Sequence, residues 1–230
     1  MTTLWNSDEE LFSLAKRELF TAVVGDTMDK LGFTRQFLPA KIQPLNDEMI
    51  TIGRAMPVLV ADYFSERVNG QTPVGAKPFG LLFEALDDLK PHEIYIATGG
   101  SPTYALWGEL LSTRALQLGA SGAILNGYAR DTRGILKLGF PVFSLGRYAQ
   151  DQGARGKIVD FRIPIEIGQT RIMPGDIIFG DLDGVCVIPQ DITQEVFTGA
   201  VEKVRGENQV RMALESGMSA VAAFAKFGIM

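Results

Sequence analysis

Apolar residues recur at helical spacing almost from the start of the chain. Leu11, Leu14, Ala15 and Leu19 fall on one face, and Ser7 followed by Glu10 makes a capping-box pattern. Residues 8–19 therefore read as an amphipathic helix. A second helix is predicted over 22–31, after Thr21 and before Gly32, with Asp26 inside it. MITIGRAMPVLV, 49–60, reads as a strand with a bulge or bend at Gly53, and 61–78 as a polar, glycine-containing loop. A short helix is expected over 77–89, weakened at Gly80. An apolar strand follows over 93–100 and closes on a glycine pair. Residues 104–119 read as a helix stopped by Gly119, although the pattern leaves open whether it begins at 104 or 108. Another strand covers 121–127, and the pattern repeats loosely through 139–144.

From 158 the character changes. Short strands in IVDFRIPIEIG, DIIFGDLDG and VCVIPQ are separated by glycines and by the turn at 174–176. The remainder is helical in tendency, with a break expected at Gly206 and one more short helix in SAVAAFAKFG. Strands and helices alternate in the middle, but the later strands lack intervening helices. One α/β domain over 1–230 accounts for this, with N-terminal helices at about 8–31, a core at about 49–190 and C-terminal helices at about 191–228. A plain dinucleotide-binding fold is disfavoured, since no G-x-G-x-x-G follows a strand and no G-x-x-x-x-G-K-[ST] is present.

Composition narrows the chemistry. The 230 residues carry a net charge of −5, which argues against a nucleic-acid binder that works by neutralising phosphates. No apolar run approaches the ~20 residues of a membrane span, and the N-terminus lacks the basic-then-apolar order of a secretory signal. One cysteine, Cys186, cannot form an internal disulfide, and its apolar surroundings point to a buried reduced thiol. A cytoplasmic address is the default expectation. One histidine, His92, rules out a multi-histidine zinc site, and its position in LKPHEI reads as a solvated turn. Catalysis, if present, falls to carboxylates, arginine, lysine, backbone amides or a metal.

Two glycine-containing segments follow consecutive buried strands: TGGSPTYALWGELL, 98–111, and NGYARDTRG, 126–134. Such strand ends are common binding positions in α/β proteins, and a helix start there offers free amides to an anion. The amides near Gly108, Glu109, Leu110 and Leu111 are candidates. Arg130 and Asp131 stand side by side in the second segment. Arginine presents a fork matched to two oxygens, and aspartate is a hard ligand for Mg²⁺ or Mn²⁺. Together they would clamp a 2-oxo acid. A solvated turn with an incidental ion pair is the blander reading, and the residues alone leave both open. Glu109 reads as a helix-capping acid, Asp181 and Asp183 as an ordinary turn, Lys137 and Arg147 as solvated, and Trp107, Phe140 and Phe143 as packing.

The run ALWGELLSTRALQLGASGAILNGYARDTRGILKLGFPVFSLG resembles the RraA-like superfamily. The matching pattern runs from Gly108 through Arg130-Asp131 to Gly134, and PGDIIFGDLDGVCVIP, 174–189, resembles a later segment of the family. The similarity spans about 15–229. The family holds class II aldolases for 4-hydroxy-4-methyl-2-oxoglutarate and 4-carboxy-4-hydroxy-2-oxoadipate, together with proteins that regulate a ribonuclease. The resemblance implies an αββα-type sandwich like that of phosphohistidine swivelling domains, assembled as trimers or paired trimers with sites between protomers. It implies that Asp131 contacts a divalent cation partly through water, that Arg130 holds the substrate keto oxygen, and that amides of Gly108 to Leu111 take the carboxylate. Glu109 matches an acid that orders water around the cation. Acids from a neighbouring protomer also approach the site in the family, with Asp26 and Glu207 as candidates here. The expected activity is retro-aldol cleavage of a 4-hydroxy-2-oxo acid to pyruvate, with oxaloacetate decarboxylation alongside. The alternatives are a non-enzymatic regulator of RNA processing and a related metal-dependent lyase or hydratase acting on sugar-derived acids. A methyltransferase is disfavoured, because a glycine-rich nucleotide loop is missing. The substrate-selecting groups are expected in loops 61–78 and 145–157 or on a neighbouring chain.

Overall fold

The computed structural model describes residues 4–63 and 72–228. The capping pattern works as the sequence suggests. Helix α1 (Asp8–Glu18) starts at Ser7, whose Oγ accepts from the Glu10 amide at 3.2 Å, while the Glu10 carboxylate reaches back to the Asn6 amide at 2.6 Å. Its Leu11, Phe12, Leu14 and Ala15 are buried. Helix α2 (Thr21–Lys30) is tied at its first residue to a distant acid: the Thr21 amide and hydroxyl both donate to the Asp181 carboxylate at 2.7 Å. Asp181 is thus a buried structural anchor, and Asp183 belongs to the turn beside it.

The main sheet contains β1 (Gln43–Pro44), β2 (Thr51–Asp62), β3 (Glu93–Thr98), β5 (Gly122–Leu125), β7 (Val142–Ser144), β8 (Gly156–Phe161), β11 (Ile177–Asp181) and β12 (Gly184–Ile188). Its order is β1-β7-β5-β3-β2-β11-β12, with β8 also pairing on β2. The four strands β2, β3, β5 and β7 run parallel, and the rest join antiparallel. The two ends of the sheet nearly meet. Gln36 and Leu38 pair along β12, with Leu38 donating to Val185 O at 2.9 Å, and the same segment then runs on into β1 at the opposite edge. The result is a mixed α/β fold around a nearly closed, barrel-like sheet. Two small ribbons complete the strands, β9 (Ile165–Ile167) with β10 (Thr170–Ile172), and β4 (Ala105–Trp107) with β6 (Tyr128–Ala129).

Helices cover both faces. On one side α1, α2 and α6 (Thr193–Glu215) bury Val24, Met28 and Phe197 against Ile52, Ile177, Phe179 and Cys186. On the other, α3 (Leu82–Asp87), α4 (Glu109–Gln117) and α5 (Thr132–Leu138) bring Leu86, Ala115 and Ile135 onto Ile96, Ile124 and Val142. A last helix, α7 (Ala220–Phe227), follows α6. The Cys186 thiol is fully buried, and burial pushes its pKa up, consistent with an inert thiol.

Several elements depart from the sequence reading. Gly53 is not a bulge. It allows the His92 carbonyl to approach, where a Cβ would lie 2.3 Å from that oxygen, and the sheet irregularity falls at Leu59/Val60 instead. The helix expected from 77 begins only at Leu82, because Phe79 to Leu81 pair with Ile158 of β8 and Gly80 takes φ +64° against its carbonyl. Residues 105–107 are a strand, and their helix starts at Glu109. The short helix α5 has no counterpart in the sequence reading. Gly206 lies inside an unbroken α6. The middle of the expected loop, 64–71, lies outside the described residues.

Candidate active site

The short ribbon positions the chemistry. Strands β4 and β6 run parallel, with Trp107 opposite Ala129 and the Arg130 amide donating to Trp107 O at 2.9 Å. Each strand then turns directly into a helix, so Gly108 and the pair Arg130-Asp131 emerge side by side. Gly108 is the N-cap of α4 in an extended conformation, and no side chain caps that helix. The amides of Glu109, Leu110 and Leu111 therefore have no partner inside the helix. Ser112 instead receives the Trp107 indole N–H at 2.7 Å, which fixes that ring as packing.

Asp131 is the N-cap of α5 in the left-handed region, φ 54°, where aspartate is tolerated better than most residues. Its side chain makes no bond to its own helix. It is turned to Gly108 instead, and a Cβ added there would lie 2.6 Å from Asp131 Oδ2. Gly134 plays the complementary part, since its own Cβ would lie 2.6 Å from Glu109 Cγ. The glycines of the spaced motif are thus the two points where α4 and α5 meet without side chains of their own.

Arg130 is held between two acids. Its Nε lies 3.5 Å from Asp131 Oδ2, and its Nη1 lies 2.9 Å from Asp151 Oδ1. Asp151 is itself oriented by the Gly153 amide at 2.8 Å. All three charged groups are partly exposed and line one cleft of about 200 Å³. Leu110, Leu111, Phe79, Leu82 and Phe83 supply much of its apolar lining.

A divalent cation fits the donor set at Asp131. The carboxylate is half-exposed, is not used to cap α5, and faces the space left by Gly108. Among the described residues no group of three metal-ligating side chains exists, so Asp131 would be a lone protein ligand there.

Gly108, Leu110, Leu111, Arg130 and Asp131 therefore share one cleft. Glu109 sits beside it, directed at Gly134. Asp26 and Glu207 do not join it within the chain. Asp26, on α2, pairs with Lys203, and Glu207, on α6, lies 3.7 Å from the same Lys203 Nζ and lines a separate hollow with Arg205 and Arg211. His92 is exposed at φ 64°, beside the Phe12 ring. Arg147 is exposed, as expected, and its Nη2 also donates to Leu45 O at 2.9 Å. Asp151, Phe79 and Phe83 are site residues that sequence reasoning misses. Asp151 lies in the expected loop 145–157, but D-Q-G carries no signal beyond a turn.

A family model described as RraA-like, Aldolase/RraA, matches residues 21–187. Protein DlpA of Legionella pneumophila is 30% identical over 198 residues, 86% of this chain, and the chain spans 30% of that protein's length. A protein of Halalkalibacterium halodurans named "Putative 4-hydroxy-4-methyl-2-oxoglutarate aldolase" is 29% identical over 209 residues, 90% of each chain. The crystal structure of Streptomyces coelicolor RraAS2, described as an unusual member of the RNase ES inhibitor RraA protein family, shares the fold with a TM-score of 0.76 at 21% identity. It covers 90% of this chain and 99% of its own.

Proposed function

This chain belongs to the RraA-like family, and from that premise we propose that it is a divalent-metal-dependent lyase. It cleaves a 4-hydroxy-2-oxo acid to pyruvate and a second oxo compound. The observation that carries the reading is the convergence of Arg130, Asp131 and the uncapped start of α4 on one cleft. A cation and an anion beside free amides suit a 2-oxo acid, which carries a carboxylate and a keto oxygen on adjacent carbons.

In this reading Asp131 holds Mg²⁺ or Mn²⁺, which when bound supplies Lewis-acid polarisation of the substrate keto group. The amides of Leu110 and Leu111 take the substrate carboxylate at the positive end of α4. Arg130 places its guanidinium at the keto oxygen, where negative charge grows as the C3–C4 bond breaks. Asp151, on the other side of Arg130, takes the C4 hydroxyl proton, directly or through water. The C3–C4 electron pair passes into the enolate of pyruvate, C4 leaves as a carbonyl, and protonation at C3 releases pyruvate. The same electron sink decarboxylates oxaloacetate. Schiff-base chemistry would need a lysine, and among the described residues none lines the cleft. Asp26 and Glu207 enter a site in this scheme across a protomer boundary, in a trimer or hexamer.

The test is pyruvate release from oxaloacetate and from a panel of 4-hydroxy-2-oxo acids, with Mg²⁺ or Mn²⁺ and then with EDTA. Turnover abolished by EDTA supports the lyase. Turnover that persists in EDTA removes the metal from the scheme. No turnover with either metal, in a correctly assembled protein, moves the assignment to a protein-binding regulator.

A further inference from the structure

The turn from β4 into α4 is held from inside the helix. A helix start is ordinarily fixed by a side chain at the N-cap, which takes up one of the free amides. Gly108 has no side chain, and a Cβ there would lie 2.6 Å from Asp131 Oδ2. The turn is fixed at its carbonyl instead. Gly108 O accepts from the Ser112 amide at 3.1 Å and from the Ser112 hydroxyl at 3.1 Å. Ser112 Oγ in turn accepts from the Trp107 indole N–H at 2.7 Å. The one proton of the hydroxyl and one of its lone pairs are both engaged.

These bonds lie away from water. Ser112 is fully buried and Trp107 is 2% exposed. The Trp107 ring packs against Tyr95, with centroids 4.7 Å apart, and is stacked with Phe140 at 6.2 Å. A buried network whose members are all satisfied specifies one geometry. The end of β4, the cap residue and the first turn of α4 thus meet at one atom, Ser112 Oγ. All of it belongs to one chain, so no neighbouring protomer is needed to complete it. Serine within a helix often bonds the carbonyl four residues back. Here that bond falls on the cap residue, and it leaves the amides of Glu109, Leu110 and Leu111 free. Trp107, Gly108, Leu110 and Leu111 line the cleft together with Arg130 and Asp131.

We propose that Ser112 is a positioning residue for the substrate carboxylate: through Gly108 it sets the direction in which the free amides of α4 meet the cleft. The inference rests on the reading of the cleft as a 2-oxo-acid site. Ser112 does not touch the ligand, and the carboxylate is held alike before and during the reaction. Loss of Ser112 Oγ therefore weakens substrate and transition state together, which raises KM and leaves kcat nearly unchanged. Asp131 stands at the start of α5, and removing Ser112 Oγ pushes no atom toward it. Cation affinity is therefore kept.

Two calorimetric titrations of the full-length protein test this, one with Mn²⁺ alone and one with pyruvate in Mn²⁺ buffer. Ser112→Ala is expected to bind Mn²⁺ within about twofold of the unaltered protein and pyruvate at least about tenfold more weakly, the scale of one hydrogen bond to a charged group. With oxaloacetate as substrate its KM should rise by a similar factor while kcat changes by less than about threefold. Ser112→Cys keeps the packing with a weaker donor and acceptor, and should fall between the two proteins. If Ser112→Ala does not fold, Ser112→Cys carries the comparison. Unchanged pyruvate affinity in the folded variant overturns the proposal and leaves the 2-oxo-acid site standing. Mn²⁺ affinity lost in step with pyruvate overturns it as well, because that reports a general disturbance of the cleft. If the unaltered protein takes up pyruvate but no Mn²⁺, the metal leaves the proposed function, and the pyruvate affinity of Ser112→Cys decides the role of Ser112. If pyruvate binding weakens as expected but no 2-oxo acid is turned over by the unaltered protein, the lyase assignment falls and the positioning role stands. Failure of the unaltered protein to bind pyruvate overturns both.

Discussion

Gly108 occupies a position where a single methyl group would collide with the Asp131 carboxylate, 2.6 Å away. Its φ of −149° is ordinary extended backbone, so alanine there would be unstrained in itself. The cost of Gly108→Ala falls on Asp131. The variant should retain its circular dichroism and lose about tenfold or more in metal-dependent pyruvate release, because a displacement of about 1 Å at a reacting group is enough. Full activity would show that Asp131 need not sit against α4. Arg130→Lys keeps the charge but loses the fork that spans Asp131 and Asp151. A fall in kcat of about a hundredfold is expected, in line with loss of a group that stabilises developing charge. Wild-type kinetics in that variant would sink the role assigned to Arg130. The Arg130-Asp131 pair is legible in the sequence because opposite charges adjoin in a glycine-bounded segment after a strand. Asp151 is not, because an aspartate two residues before glycine is explained by its turn alone.

At the scale of elements, long-range pairing decides what local pattern leaves open. Tyr104 to Trp107 carry apolar side chains that suit a buried helix or a buried strand equally. The Ala105 amide donates to Gln150 O at 2.8 Å and β4 pairs with β6, so the strand wins, and the helix start moves to the residue that the site requires. The delayed start of α3 has the same origin in the pairing with β8, and it is what brings Phe79 and Phe83 to the cleft. Helix α1 is legible almost to the residue, because its cap and its apolar face are both local. Its docking adds a charge contact: Asp8, in the first turn, accepts from Arg54 Nη2 at 2.6 Å and Nε at 2.8 Å. The Arg54 hydrogen bonds hold the Asp8 carboxyl below its ordinary value of 3.8, against a smaller opposing effect of burial. A folded-state value lowered in this way stabilises the protein at neutral pH, and the contribution is lost as pH falls below 3.8 through the folded-state value. Both groups are partly exposed, so Asp8→Asn should cost no more than about 1 kcal/mol at pH 7. Urea denaturation of both proteins across pH should show the difference shrinking below the ordinary carboxylate range. A difference that stays constant into acid would assign the effect to packing.

At the scale of the whole molecule, two of the predicted site acids lie apart from the cleft of their own chain. Asp26 and Glu207 flank Lys203 on the α2–α6 face, while the cleft opens beside α3, α4 and α5 on the other side of the sheet. Helix α7 adds Val221 and Phe224 to the exposed apolar side chains, which also include Leu110, Met212 and Phe83. In the trimer or hexamer proposed above, the acids of one protomer would reach the cleft of another. Light scattering should then give a mass of three or six times 25.1 kDa. Complementation tests the arrangement more directly. Asp131→Ala removes the proposed cation ligand from every cleft, and Glu207→Ala the acid proposed to reach a neighbour, so each variant alone should be inactive. When the two are unfolded together and reassembled, some clefts receive Asp131 from one chain and Glu207 from the other, and pyruvate release should return in part. Recovery requires that the two residues act across a boundary, because no single chain in the mixture carries both. If Glu207→Ala is fully active alone, Glu207 contributes nothing to the reaction. If it is inactive and mixing restores nothing, its effect lies within its own chain, through Lys203 and the seating of α6 on α2.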